Sequence, residues 1–184
     1  MKTEKEKMLD GEFYYANDKQ LVLERKRAKE LTRLFNLSSG ENIKQRRAII
    51  NELFGKIGSK FEIEPPFYCD YGKNIICGEN LYINTGCIIL DCNAVRIGEN
   101  VKFGPAVQIY TAYHPTEPNL RKTGQELASP IVVGDNVWIG GRTILCPGIK
   151  IGNNSTIGAG SVVVKDIPDN VIAVGNPCKV VKHI

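Results

Sequence analysis

From Tyr71 to Val163 the apolar residues of this chain keep a period of six. The lead positions are Tyr71, Cys77, Ile83 and Ile89 and then, after a two-residue slip that follows Asp91, Ile97, Phe103 and Ile109. The frame breaks from Tyr110 to Pro130 and returns at Val133, Ile139, Leu145, Ile151, Ile157 and Val163. Four residues after many of these leads comes a second apolar or small residue: Ile75, Leu81, Cys87, Val101, Val107, Val137, Thr143, Ile149, Ser155 and Ser161. Glycine often follows the lead, at Gly72, Gly78, Gly98, Gly104, Gly134, Gly140, Gly152 and Gly158. A period of six fits neither a helix nor an alternating strand. It fits a solenoid in which each hexad forms a short strand and turns, stacking its lead residue on those of neighbouring coils. The glycines are expected at corners whose backbone conformation penalises a Cβ.

The first 57 or so residues follow helical spacing. Thr3 and Glu6 predict a capping box at the start of a short helix, which Gly11 ends. A second helix is expected from Asn17 or Asp18 to Asn36, with Leu21, Ala28, Leu31 and Phe35 on its buried face and Arg25, Lys29 and Glu30 outward. Ser38 and Glu41 read as a second capping box. Ile43, Ile50, Leu53 and Phe54 mark a third helix, closed by Gly55. Helices this short need a surface to dock on, so residues 1–57 read as a cap, either purely packing or also walling a substrate cleft. Residues 58–184 read as the solenoid, with an inserted loop at 110–130 and a C-terminal tail.

The formal net charge of +4 does not single out nucleic acid as a partner. Met1 to Asp10 is not a signal peptide, and no stretch approaches the roughly 20 apolar residues of a membrane-spanning helix, so no membrane partner is expected and the cytoplasm is the expected compartment. None of the six cysteines is spaced CxxC, which argues against a zinc site or a disulfide framework. Most are expected to pack as small apolar groups.

The inserted loop carries His114, one of two histidines; the other, His183, lies next to the C-terminus. A long break in a regular repeat is usually functional, and a neutral imidazole there is a candidate general base. The bland alternative is a solvated surface side chain.

Cys69-Asp-Tyr-Gly72, Ile109-Tyr-Thr-Ala-Tyr-His-Pro115, Asn136-Val-Trp-Ile-Gly-Gly141, Ile157-Gly-Ala-Gly-Ser161 and Val174-Gly-Asn-Pro177 together resemble the maltose and galactoside O-acetyltransferase family, over essentially the whole chain. The resemblance implies a mainly β fold: a left-handed parallel β-helix of hexapeptide repeats with an N-terminal α-helical cap and a protruding loop. It also implies a homotrimer with active sites between neighbouring coils, which is consistent with the apolar Ile88, Ile144 and Val162 outside the lead frame, since these would need cover from another subunit. The implied reaction is direct transfer of acetyl from acetyl-CoA, a cosubstrate, to a sugar hydroxyl, with no metal and with His114 as base.

By the same resemblance Asp18, Asp70, Asn84 and Cys92 face the acceptor, and Trp138, Gly141, Ala159, Val164, Lys165, Lys179 and Lys182 bind coenzyme A. Asp18 also reads as a helix N-cap, Asp70 as a turn cap and Asn84 as a corner residue. Cys92 stands where the galactoside branch has aspartate, Gly141 where related galactoside enzymes have serine, and Lys179 and Lys182 where the family has arginine. The implied oxyanion donor at Gly141 is therefore its backbone N–H. A cysteine acyl carrier would need an activated thiolate. A metal enzyme on the same scaffold, such as a γ-type carbonic anhydrase, would need several histidine ligands. An acetyltransferase for serine, an antibiotic or a lipo-oligosaccharide, and a non-catalytic β-helix binding protein, stay open as alternatives.

Overall fold

The computed structural model describes residues 1–184. Past the N-terminal helices the chain winds over three parallel sheets in strict rotation. One face stacks Phe61–Ile63, Leu81–Ile83, Lys102–Phe103, Trp138–Ile139, Thr156–Ile157 and Val171–Val174, and the antiparallel strand Lys179–His183 closes it. A five-stranded face stacks Tyr68–Cys69, Ile88–Leu90, Gln108–Tyr110, Ile144–Leu145 and Val162–Val163, and a four-stranded face stacks Ile75–Cys77, Val95–Ile97, Ile131–Val133 and Lys150–Ile151.

All thirteen lead residues are buried, and the second-slot residues are buried beside them. The register corrects the first of them, however. Cys69 pairs with Ile89, so Cys69 holds the lead position of its coil. Tyr71 instead belongs to a separate cluster with Met8, Tyr14, Leu21, Cys92 and Ala128. The slip seen after Asp91 therefore also occurs one coil earlier, after Cys69. Trp138 pairs with Thr156, eighteen residues on, which makes a regular coil three hexads. Tyr82 pairs with Lys102, twenty on, because the earlier coils carry the widened corner.

The three corners differ chemically. Between the four- and seven-stranded faces, Asn80, Asn100, Asn136, Asn154 and Asn170 all have φ near +57°, and each amide donates to the next at 2.8 to 3.1 Å. Asparagine tolerates this left-handed region better than other side chains. The glycine after the lead has a different reason from the expected one. Among those eight only Gly72 has positive φ. At Gly98 a Cβ would lie 2.2 Å from Asp135 Oδ1 and 2.8 Å from the Gly134 backbone, so close approach of the next coil requires glycine.

The cap follows the helical reading with four corrections. Helix α1 (Glu4–Leu9) has the Thr3/Glu6 capping box, and α2 (Lys19–Asn36) is capped by Asp18. Arg25 turns inward rather than out: it donates to the Tyr71 hydroxyl and to the Ala16 carbonyl, both at 2.5 Å, and lies over the Tyr71 ring. Helix α3 (Ile43–Leu53) is capped by Asn42, which accepts from the Gln45 N–H, so Ser38 and Glu41 form no box. Ile43 is 63% exposed, and Ile49 takes its place on the buried face. Gly55 is no left-handed terminator; a Cβ there would sit 2.2 Å from the Lys73 carbonyl oxygen. Ala28, Leu31, Phe35, Ile50, Leu53 and Phe54 join one core with the coils. No helix is long and apolar enough to cross a membrane.

Candidate active site

The widened corner between the five- and four-stranded faces gathers the polar chemistry. In successive coils it consists of Asp70–Asn74, then Asp91–Ala94, and then the insertion itself. Asp91 is fully buried. Its Oδ1 accepts from the backbone N–H groups of Asp70 at 3.1 Å and Tyr71 at 2.8 Å, and its Oδ2 from Asn74 at 3.3 Å. Burial nonetheless outweighs these donors and pushes its carboxyl up to about 7. Asp70 is half-buried in the turn so held, and burial raises its carboxyl too. The Cys92 thiol donates to Asp70 Oδ2 at 3.5 Å.

The insertion leaves from this corner. Ala112–Tyr113 pairs antiparallel with Leu127–Ala128, and helix α4 (Pro118–Arg121), capped by Glu117, forms its tip. His114 follows the outgoing strand and is exposed. With Phe13, Tyr113, Pro115, Leu120 and Leu127 it lines an open recess of about 260 Å³. Tyr14 fastens the returning strand, exchanging both backbone hydrogen bonds with Glu126 and donating its hydroxyl to the Glu126 carboxylate at 3.0 Å.

The predicted acceptor residues are only partly brought together. Asp70 and Cys92 touch. Asp18 accepts from the Gln20 and Leu21 N–H groups as the cap of α2. Asn84 stands at the opposite edge of the five-stranded face, where its Oδ1 accepts from the Thr85 N–H and its own N–H donates to the Phe103 carbonyl. That edge also carries Gly141 and Ala159, and Gly160 N–H donates to the Gly141 carbonyl. A Cβ on Gly140 would meet Ala159 N at 2.5 Å, so these turns stack backbone on backbone. Trp138 is 57% exposed on the adjoining seven-stranded face. Lys179 and Lys182 pair with Val174 and Ile172 at the end of that face. Val164 and Lys165 follow the strand Val162–Val163 and stand at the other edge, in line with the widened corner. No three histidine, cysteine, aspartate or glutamate side chains converge to hold a metal ion.

The sequence reading missed Asp91, Asn93, Tyr14, Arg25 and Glu126 as members of this corner. The available signal was the repeated slip: setting Cys69-Asp70-Tyr71 over Ile89-Leu90-Asp91 exposes a polar residue where a regular coil would turn tightly.

Comparison with known proteins agrees with this architecture. Residues 7–58 match the maltose acetyltransferase hexapeptide capping motif, and residues 130–165 match the bacterial transferase hexapeptide of six repeats. These define the class as hexapeptide-repeat transferases. The galactoside O-acetyltransferase of Escherichia coli is 41% identical, over 97% of this chain and 88% of its own. A maltose O-acetyltransferase from Clostridium difficile 630 superposes with a TM-score of 0.99 at 55% identity, covering 100% of this chain and 98% of its own. A galactoside acetyltransferase in complex with coenzyme A gives 0.97 at 40% identity, over 100% and 92%. The chain belongs to the maltose and galactoside O-acetyltransferase family.

Proposed function

We propose that the protein transfers acetyl from acetyl-CoA to a sugar hydroxyl, with His114 as general base. The observation that carries this reading is the setting of His114: it stands on the exposed rim of a recess where the coil is broken, beside the corner that holds Asp70. An imidazole in reach of an acceptor hydroxyl takes its proton as the oxygen attacks the thioester carbonyl. The new C–O bond forms, the C–S bond breaks, and the imidazolium returns the proton to the leaving thiolate. The Gly141 N–H is proposed to meet the developing oxyanion.

Asp70 and Asn84 are proposed to bind the acceptor hydroxyls, with Asp18 and Cys92 at the margin of that subsite. Trp138, Ala159 and Val164 are proposed to line the coenzyme A groove, with Lys165, Lys179 and Lys182 toward its phosphates. His114 and Gly141 belong to opposite edges of the five-stranded face. That face carries Tyr68, Ile88, Ile144 and Val162. Both features support a homotrimer in which the His114 edge of one copy meets the Gly141 edge of the next. The cytoplasm is the proposed compartment.

His114→Ala tests the mechanism: turnover is expected to fall about 100- to 10,000-fold with coenzyme A affinity kept within a few-fold. Near-normal turnover in that variant rejects the base. Thiol release across glucose, maltose, galactosides, serine and aminoglycosides tests the acceptor class, and release with serine or aminoglycosides alone rejects the sugar.

A further inference from the structure

Asn93 sits in the widened corner, 3% exposed, among three segments remote in sequence. Its Nδ2 lies 3.1 Å from the Met8 carbonyl oxygen, 3.1 Å from that of Leu9 and 3.0 Å from that of Ala128. Its Oδ1 accepts from the Ala94 N–H at 2.7 Å. Its own N–H donates to Thr111 Oγ1 at 3.0 Å, and the Thr111 hydroxyl donates to the Leu90 carbonyl at 2.7 Å.

Met8 and Leu9 lie in the last turn of α1, where carbonyls lack partners within the helix and need outside donors. Ala128 pairs with Ala112, two residues before His114. One amide therefore joins the N-terminal cap to the returning strand of the insertion, which in turn pairs with the strand that leads to His114. The tie is reinforced where the same cap segment continues: Tyr14 bridges Glu126, and Phe13 enters the recess beside His114.

We propose that Asn93 is a positioning residue that pins the His114 loop to the end of α1, so that the cap acts as a strut for the catalytic base. This rests on His114 being the base. The pin works through the Met8, Leu9 and Ala128 carbonyls and the Thr111 hydroxyl. Its loss frees the insertion while the coils, held by their own ladders and core, stay in place. A misplacement of about 1 Å in a reacting group costs on the order of 100-fold in rate.

The test uses the purified full chain with acetyl-CoA and maltose, steady-state kinetics and amide hydrogen exchange. For Asn93→Ala the expected outcome is a fall in kcat of about 10- to 100-fold, with the KM for acetyl-CoA unchanged. Exchange over residues 112–128 should accelerate at least about tenfold while residues 131–163 keep their protection. Thr111→Val, which removes the acceptor of the Asn93 N–H together with the donor to the Leu90 carbonyl, should give the same pattern at smaller amplitude, and it keeps the test decisive if Asn93→Ala does not fold. Unchanged exchange in the loop, or equal acceleration in the coils, overturns the pin. So does a freed loop with unaltered kcat. If His114→Ala itself retains turnover, the base reading fails separately, and the exchange pattern alone then decides whether Asn93 holds the loop.

Discussion

The Cys92 thiol lies 3.5 Å from Asp70 Oδ2 and donates to it. Burial, and then the neighbouring Asp70 charge, push the thiol well above the ordinary cysteine range. A thiol so placed stays protonated at neutral pH and is a poor nucleophile. Cys92→Ala is therefore expected to keep turnover within about threefold, and iodoacetamide should label native Cys92 far more slowly than a free thiol. Loss of activity in that variant, with trapping of an acetyl thioester, would put the acyl group on the enzyme and remove the direct-transfer scheme.

Asp91 makes stability depend on pH. Its carboxyl is raised to about 7 from the ordinary 3.8, chiefly by burial. The folded chain then holds the proton more tightly than the unfolded chain. The stabilisation from that proton is complete below the unfolded value and fades as pH rises through 7. Asp91→Asn does not titrate. Its urea midpoint relative to the native protein should accordingly improve between pH 5 and pH 8. A difference that stays constant over that range would mean that Asp91 does not change charge there.

The asparagine corner separates conformational preference from hydrogen bonding. Asn136 accepts from Asn100 at 3.1 Å and donates to Asn154 at 3.0 Å while holding φ at +57°. Asn136→Ala loses both the ladder bonds and the tolerance for a left-handed backbone, and should cost about 1–3 kcal/mol. Asn136→Gly loses only the bonds and should cost less, as read from chemical denaturation. Equal losses would show that backbone preference contributes nothing at this corner.

Two glycines at the Gly141 corner should respond oppositely in severity. At Gly140 an added Cβ would meet Ala159 N at 2.5 Å, and only separation of the coils relieves that contact. Gly140→Ala is expected to cost about 3 kcal/mol or more and to weaken coenzyme A binding. Gly160 has φ of +71° with nothing within 4 Å of its would-be Cβ, so Gly160→Ala should cost about 1 kcal/mol of backbone strain alone. Similar melting temperatures for the two variants would contradict the close-stacking account.

The coils were readable because each lead residue has one place to go. Leu145, Ile151 and Ile157 recur at the interval of a hexad, and only stacking buries them all. The start of the frame was misread because Tyr71 is apolar at the right spacing, whereas Cys69, two residues earlier, is what pairs with Ile89. Spacing alone does not distinguish a stacked lead from an aromatic ring buried against the cap. Helix α2 kept its predicted buried face, but Arg25 was assigned to solvent since its partner, the Tyr71 hydroxyl, lies 46 residues away. The Ser38/Glu41 pattern lost to Asn42 because capping is decided by which side chain meets the first free N–H groups, and two motifs competed within five residues.

By itself the sequence determined the solenoid, the helical cap, the place of the interruption and His114 as the candidate base, since each follows from local spacing or from the type of residue at a break. Only the tertiary structure decided that Asp91 and Asn93 are buried and hydrogen-bonded to backbone groups remote in sequence, that Asp70 and Cys92 meet, and that His114 and Gly141 stand at opposite edges of one face. Those relations join residues one or more coils apart. They are set by which backbone groups each coil leaves for the next to satisfy, and no local pattern carries that information.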